Sequence, residues 1–399
     1  MDPIINPFSP GAGAPPPELV GRRDLIEEAA VLLGRIKSRR SVQSFMLTGL
    51  RGVGKTVLLS EIKRMAYASG VLPISIEATE EKPLGALLVA PLKKVLFELD
   101  RMQGAKDKVK RGLVALKNFI GTIKIEIGDI GLGIDPQHGF ADSGDLEFDL
   151  GELFECVASA AADKGLGIVL LIDEIQYLPE KELGALIMAM HRMQQDSLPL
   201  ALVGAGLPIL PGLAGNAKSY AERLFRFPDV GALSEEHSAQ AIRGPLMTAD
   251  VKIEEDAMSR VYQIAHGYPY FLQEWGYQLW NFVQESPIRL QDVETVHAKV
   301  LERLDSSFFR VRLERLTNGE KEFLYAMAEV ERESLKIGDV AKQLGVPVGA
   351  LGPRRSSLIK KGMIYSPAYG EIAFSVPLFG DYLKRIRGPV QIGNADSQR

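Results

Sequence analysis

A glycine-rich turn between a short apolar run and an amphipathic helix constrains this chain more than any other feature. Its pattern is G-x-x-x-x-G-K-T, and it reads Gly49-Leu50-Arg51-Gly52-Val53-Gly54-Lys55-Thr56. Glycines let the backbone curl so that its N–H groups point inward, and the N-terminus of the next helix favours an anion. The run Ser44–Thr48 predicts the preceding strand, and the helix is predicted from Lys55 to about Ala68. We therefore expect this loop to bind phosphate groups.

The side chains at the end of the loop indicate the ligand. Lys55 would place a cation at the β- and γ-phosphates of ATP, and the Thr56 hydroxyl would coordinate Mg²⁺. Val57, the next residue of the helix, is also assigned to nucleotide binding. A chance glycine-rich turn is the alternative, but it would not need a strand before it and a helix after it. The predicted cofactors are ATP and Mg²⁺.

Two carboxylates follow a second apolar run, Gly167–Ile172. Asp173 would hold Mg²⁺, directly or through water, and Glu174 would orient and deprotonate an attacking water. A kinase acting on a small molecule would not need the second acid, so the pair favours hydrolysis of ATP. A strand followed by a polar turn is the alternative interpretation. Gln176 is interpreted as a polar helix or loop residue, or as a reader of the γ-phosphate.

The order of predicted elements indicates an α/β fold with a parallel-sheet P-loop NTPase core. Residues 1–17 contain six prolines and predict a flexible arm. The Ile- and Gly-rich run at 120–134 predicts a hairpin or other β structure within residues 104–148. The predicted organisation is a Pro-rich arm (1–17), an ATPase core (18–233) with a β-rich insertion (104–148), an all-helical lid (234–304), a winged helix-turn-helix domain (305–387) and a tail (388–399).

Four motifs together resemble AAA+/STAND-type P-loop ATPases, in particular archaeal and bacterial ATPases with origin-recognition-like modules. Two are the phosphate loop and the acidic strand end; the others are Val20-Gly21-Arg22-Arg23 and His266-Gly267-Tyr268-Pro269. The resemblance implies that Val20, Gly21 and Arg22 line the adenine pocket and that Pro269, in the lid, touches the adenine. It covers about residues 18–300 and implies a winged helix beyond them.

The chain departs from the family's pattern at one point and is ambiguous at another. Its members usually carry a polar sensor after the fourth strand, but the run Leu202–Gly206 offers no side chain that could hydrogen-bond a γ-phosphate. Arg223 and Arg226 both fall where an arginine finger is expected, and Arg223 is preferred. The alternative for either arginine is a surface ion pair with Glu222 or Asp229.

The C-terminal part of the chain predicts three helices followed by a two-stranded hairpin, which is the order of a winged helix-turn-helix. Residues 305–399 carry 15 Lys+Arg and 11 Asp+Glu, although the whole chain has a net charge of −4. The third helix concentrates basic side chains, which would suit contact with double-stranded DNA: Arg354, Arg355, Lys360 and Lys361. Winged helices also bind proteins, so a protein partner or self-association is the alternative.

The composition of the chain indicates the cellular compartment. One cysteine excludes an intrachain disulfide framework, and no apolar run approaches the ~18–20 residues of a membrane helix. We expect a cytoplasmic protein without membrane contact. The predicted function is an ATP-hydrolysing switch of the AAA+/STAND type that couples nucleotide state to DNA binding. Its competitors are a nucleotide-gated scaffold with slow hydrolysis and an enzyme that uses ATP to power another reaction.

Overall fold

The computed structural model describes residues 1–11, 13–17, 19–102, 106–122, 140–330, 332 and 334–387. The strands in these ranges are β1 (Ser44–Thr48), β2 (Val71–Glu77), β3 (Gly167–Asp173), β4 (Leu200–Gly206), β5 (Phe225–Arg226), β6 (Leu335–Lys336), β7 (Ile364–Tyr365) and β8 (Glu371–Phe374). The helices up to residue 224 are α1 (Arg23–Lys37), α2 (Lys55–Ser69), α3 (Leu84–Arg101), α4 (Lys106–Thr122), α5 (Leu146–Asp163), α6 (Glu180–Gln195), α7 (Leu210–Ala217) and α8 (Ala221–Leu224). Those that follow are α9 (Glu235–Thr248), α10 (Glu255–Ala265), α11 (Pro269–Phe282), α12 (Leu290–Arg303), α13 (Arg310–Glu314), α14 (Asn318–Ala328), α15 (Ile337–Leu344), α16 (Gly352–Lys360) and α17 (Phe379–Arg387).

The central sheet has five parallel strands in the order β2-β3-β4-β1-β5. Because the strands are parallel, their carboxyl ends lie along one edge, which is where open α/β sheets bind ligands. The loop after β1 and the acidic end of β3 therefore open on the same side, with only β4 between them.

The packing of strand β3 explains why its sequence is apolar from Gly167 to Ile172. Val169 and Leu171 belong to the core on the side of α1 and α2. Ile168, Leu170 and Ile172 belong to the core on the side of α3, α5 and α6. Alternate side chains of a strand point to opposite faces, so a strand covered by helices on both faces needs apolar residues throughout. The predicted α/β fold with a parallel P-loop core is confirmed.

Two further units follow the sheet: the four-helix unit (α9–α12, residues 235–303) and the C-terminal unit (residues 305–387). A π-helical turn at Leu304–Phe309 joins them. Its Phe309 stacks on Tyr382 of the C-terminal unit, with ring centroids 5.2 Å apart, and packs edge-on against Phe271 of α11 at 6.1 Å. The same apolar core therefore continues from the four-helix unit into the C-terminal unit.

The β-rich insertion expected over 104–148 is corrected in its first part, because Lys106–Thr122 forms a helix. Val109, Leu113, Leu116 and Phe119 recur at helical spacing and are all buried. Residues 123–139, which include most of the run 120–134 that suggested a hairpin, lie outside the described residues, as does the tail 388–399. Among the described helices, none has the length and apolar character needed to cross a membrane.

The flexible arm predicted for residues 1–17 is also corrected. The side chain of Phe8 is only 1 % exposed, and it packs against Gly276 in the middle of α11. Proline content argued against a regular element here, but it says nothing about docking on a surface formed more than 260 residues later. The ring of Phe8 and the matching notch at Gly276 place this part of the arm against α11.

Glu320 organises the start of the C-terminal unit. It completes a capping box with Thr317 at the N-terminus of α14. It also accepts hydrogen bonds from the hydroxyl of Ser357 at 2.6 Å and from Nζ of Lys361 at 2.8 Å. Burial opposes ionisation of this carboxyl, but its hydrogen bonds prevail and lower its pKa to about 2. The charged form of Glu320 therefore ties α14 to α16.

We predict that this tie stabilises the C-terminal unit only while Glu320 is charged. A carboxyl with a lowered pKa in the folded state contributes stability above its unfolded pKa near 4.5, and loses it as the pH falls towards 2. Glu320→Gln should cost about 1–3 kcal/mol at pH 7 and much less near pH 2. Calorimetric unfolding across this pH range measures the difference.

The matched control is Glu322→Gln on the same helix, where the partner of the glutamate is Arg387 at 3.7 Å and both side chains are well exposed. An exposed pair contributes little, so this variant should unfold almost as the wild type does. Equal losses in the two variants at pH 7 would contradict the assigned role of Glu320.

Candidate active site

The phosphate loop, residues 49–56, begins where β1 ends and runs into α2. Gly52 and Gly54 have φ angles of 83° and 98°, which side-chain-bearing residues rarely adopt. A Cβ on Gly49 would overlap the carbonyl oxygen of Val230. Each glycine of the motif is therefore required, either by its backbone angles or by its neighbour.

Lys55 lies at the base of this loop. Its Nζ donates to the carbonyl oxygens of Gly49 at 2.9 Å and Leu50 at 2.8 Å. Burial lowers the pKa of Lys55 to about 8, against the opposing effect of the carboxylates of Glu174 and Asp173. The ammonium is held among carbonyls and carboxylates at the position where the motif places phosphate.

The two predicted magnesium ligands meet, although they come from different elements. The Thr56 hydroxyl, in the first turn of α2, donates to Oδ2 of Asp173 at 2.6 Å. Burial raises the pKa of Asp173, and the hydrogen bonds from Thr56 and the Glu174 amide oppose that shift. A hydroxyl beside a carboxylate is an oxygen donor set that suits Mg²⁺, which keeps several waters and takes few protein ligands. The residues therefore fit the ion.

Glu174 and Gln176 form a connected pair at the sheet edge. Glu174 has a φ of 50°, and its side chain accepts a hydrogen bond from Nε2 of Gln176. Oε1 of Gln176 accepts from the backbone N–H of Leu207, at the end of β4, at 3.1 Å. Gln176 thus bridges β3 to β4 and holds the carboxylate expected to act as the base. The sequence did not assign this role.

Strand β4 has no polar side chain at its end, and the amide of Gln176 occupies the space beside it. A Cβ on Gly206 would lie 2.6 Å from Oε1 of Gln176, so the bare end of β4 leaves the space that this amide occupies. A polar group does lie at this sheet edge, but it comes from the turn after β3.

In the Val20-Gly21-Arg22 segment, Arg22 binds the loop. The guanidinium of Arg22 donates to the carbonyl oxygens of Val53, at 3.3 Å, and Gly231. Burial lowers the pKa of Arg22, and Asp229 opposes that shift. The segment thereby joins the loop to the connection that leads into α9.

The four-helix unit reaches the loop through the residues around Pro269, which begins α11. The Tyr268 hydroxyl donates to the carbonyl oxygen of Arg51. A Cβ on Gly52 would lie 3.0 Å from the ring of Tyr268, so the ring packs directly on the loop. Burial raises the pKa of Tyr268 to well above its usual range, and this side chain stays a hydrogen-bond donor.

Arg51, at a variable position of the motif, connects the loop to the C-terminal unit. Its Nη2 donates to the Tyr177 hydroxyl at 2.6 Å. A Cβ on Gly362, in the turn between α16 and β7, would lie 2.6 Å from the same nitrogen. The Nε of Arg51 is buried and has no hydrogen-bond partner among the described residues. The sequence had assigned Arg51 only to nucleotide binding, because its second contact depends on tertiary packing.

The two candidate arginine fingers differ in their surroundings. Arg226 forms an ion pair with Glu28 of α1, Nη1 to Oε1 at 2.7 Å, instead of with Glu222 or Asp229. Arg223 is exposed on α8, and no ion pair of its guanidinium is found within the described residues. Its exposed guanidinium is free to meet another molecule.

The four basic residues proposed for DNA contact do not form one free surface. Lys361 is bound to Glu320, and Nη2 of Arg355 donates to Oγ of Ser366 at 3.1 Å. The side chains of Arg354 and Lys360 are exposed, and Nζ of Lys360 lies 3.8 Å from Glu80 of the ATPase core. The end of α16 therefore faces the core.

Residues 18–203 match the AAA ATPase domain family, and residues 306–383 match a domain of unknown function (DUF8462). No curated protein matches this chain.

Several solved structures resemble this one at low sequence identity. The Walker-type ATPase of Pyrococcus abyssi is 17 % identical with a TM-score of 0.53, over 90 % of this chain and 95 % of its own. The RuvB Holliday junction branch migration motor of Thermotoga maritima is 17 % identical with a TM-score of 0.44, over 89 % and 92 %. The Orc1 protein of Aeropyrum pernix, solved in complex with DNA, is 15 % identical with a TM-score of 0.46, over 92 % and 93 %. The match over residues 18–203 agrees with the geometry of the loop and the acidic strand, so this part of the chain is an AAA ATPase domain with a P-loop fold.

Proposed function

We propose that this protein is an ATP-hydrolysing switch that couples its nucleotide state to the position of its C-terminal unit, and through that unit to double-stranded DNA. The observation that carries this proposal is the packing of Arg51 against Gly362. One residue then belongs both to the loop that binds phosphate and to the surface on which the C-terminal unit rests. A change in the conformation of the loop would therefore be transmitted to the C-terminal unit through Arg51.

The chemistry assigned to the site follows from its donors. The loop amides and Lys55 would bind the phosphates of ATP, and Thr56 with Asp173 would hold Mg²⁺, which neutralises charge on the β- and γ-phosphates. Glu174 would take a proton from the attacking water while Gln176 fixes its carboxylate. Val20, Gly21, Arg22 and Pro269 would border the adenine. Two contacts support this: Arg22 binds the carbonyl oxygen of Val53, and the ring of Tyr268, next to Pro269, packs on Gly52.

Arg223 would complete the site of a neighbouring copy. It is exposed, whereas Arg226 is held by Glu28. An arginine supplied in trans stabilises charge in the transition state of phosphoryl transfer, so turnover would depend on self-association.

The DNA partner is supported by the order of α14, α15, α16 and the β7–β8 hairpin within the C-terminal unit, as in a winged helix-turn-helix domain. Arg354 is exposed on α16 and would contact phosphates, whereas Lys360 would first have to leave Glu80. The internal bonds of Lys361 and Arg355 favour a second candidate, in which the C-terminal unit binds a protein and hydrolysis is slow. We propose a cytoplasmic location for either version.

The first test is ATPase activity across a range of protein concentrations, with and without duplex DNA. We expect turnover that rises with concentration, because Arg223 acts between copies. Glu174→Gln should still bind ATP but should lose about 10²–10⁴-fold in kcat, because the base is removed. Tight ATP binding with negligible turnover under every condition would overturn the hydrolytic switch and favour the scaffold.

A second test concerns Gln176. Gln176→Ala leaves Glu174 without its positioning partner, so kcat should fall about tenfold or more while KM for ATP changes little. Gln195→Ala, at an exposed position on α6, is the matched control and should behave as the wild type. A loss in Gln176→Ala that fell wholly on KM would argue for nucleotide binding instead of positioning of the base.

A third test measures how strongly Arg51 couples the nucleotide state to DNA binding. Anisotropy of a labelled DNA duplex, with ATPγS or with ADP, should give a nucleotide-dependent Kd in the wild type, in the range of about 5–150-fold that is typical of allosteric coupling. Arg51→Ala should bring the two Kd values together, whereas Arg64→Ala, an exposed arginine of α2, should not. Binding that does not weaken as salt is raised would contradict phosphate contact and favour a protein partner.

A further inference from the structure

The arm follows α11 from its C-terminal end towards its N-terminal end. The indole Nε1 of Trp280 donates to the carbonyl oxygen of Asp2 at 2.8 Å. Nδ2 of Asn6 donates to the carbonyl oxygen of Tyr277 at 3.1 Å and to Oδ1 of Asn281 at 3.0 Å. These contacts bind the first part of the arm to the last turns of the helix.

The next residues of the arm continue in the same direction. Phe8 is buried against Gly276, and the backbone N–H of Ser9 donates to Oε1 of Gln273 at 3.3 Å. The contacts of the arm thus step from residue 280 to residue 273 of α11, whose first residue is Pro269. The arm runs towards the end of the helix that rests on the phosphate loop.

Beyond this point the arm reaches the nucleotide site itself. A Cβ on Gly13 would lie 3.3 Å from Cγ2 of Thr56, so the arm packs on the side of Thr56 that faces away from Asp173. Gly13 has a φ of 71°, which marks a turn in the arm at the crossing. Asn6, Phe8 and Ser9 therefore lie on the four-helix unit, and Gly13 lies beside Thr56 in the first turn of α2.

We propose that the arm is a strap that ties the four-helix unit to the phosphate loop and slows the exchange of nucleotide. This inference rests on the proposed nucleotide binding. Because Pro269 at the start of α11 is proposed to border the adenine, a nucleotide that leaves the site would separate α11 from the loop, and that separation would strain or detach a segment anchored to both. The anchor on the helix is Phe8 in the notch at Gly276, and the anchor on the loop side is the contact of Gly13 with Thr56.

The contact between Phe8 and the notch at Gly276 can be removed from either side, which gives two independent variants. Phe8→Ala removes the anchoring ring. Gly276→Ala fills the notch, because a Cβ there would lie 2.5–2.7 Å from atoms of the Phe8 ring. Alanine in mid-helix favours the helix itself, so this second variant should expel the arm without weakening α11.

The experiment is stopped-flow release of the fluorescent analogue mant-ADP, with Mg²⁺, from the full chain. Both variants should raise the dissociation rate at least about fivefold. Ile4→Ala removes an apolar side chain that is 90 % exposed on the same arm, and it should release mant-ADP at the wild-type rate. A strap that slows release more than binding also raises the affinity for nucleotide, and by reciprocity of the binding free energies mant-ADP should then slow thermolysin cleavage of the arm in the wild type.

Each outcome bears on a different claim. Wild-type release rates in both Phe8→Ala and Gly276→Ala, with tight binding to the wild type, would overturn the strap and leave the proposed nucleotide binding intact. Failure of the wild type to bind mant-ADP would overturn both. Faster release in the two variants but not in Ile4→Ala, together with protection of the arm by nucleotide, would support the strap.

Discussion

A loop that presents its backbone N–H groups to phosphate has no side chains at its glycine positions, so other parts of the molecule approach it closely. The carbonyl of Val230 lies against Gly49, and the ring of Tyr268 lies against Gly52. Arg22 binds the carbonyl oxygen of Val53. The four-helix unit, the connection after β5 and the N-terminal part of the chain are thus positioned by contact with one bare stretch of backbone. The rest of the site depends on that contact.

Much of the ATPase domain could be predicted from the sequence because its signals are local. Strand β1 has the predicted bounds and α2 begins at the predicted residue, since apolar periodicity and motif position determine both. Thr56 and Asp173 were assigned to one ion, and their side chains meet at 2.6 Å. A motif that joins a strand, a turn and a helix carries its own geometry, so the chemistry could be assigned before the fold was described.

What the sequence did not predict depends on contacts between distant segments. Phe8 has no local reason to be buried, because its pocket is formed by α11. The interaction of Arg51 with the turn at Gly362 is equally invisible in a motif that tolerates any residue at that position. The spacing of Val109, Leu113 and Leu116 is that of a helix, but the Ile- and Gly-rich run that follows is typical of β structure, so the two local patterns compete for this segment. The role of Gln176 required knowledge that β4 lies next to β3.

The glycine at position 276 has a consequence for the history of this chain. Glycine in the interior of a helix costs about 1 kcal/mol relative to alanine, and here the missing methyl group makes room for Phe8. A relative that lost the arm would gain stability by acquiring alanine at the equivalent position. One that regained an aromatic residue in the arm would first have to lose that alanine. The two sites should therefore change together during divergence, although they are 268 positions apart in the sequence.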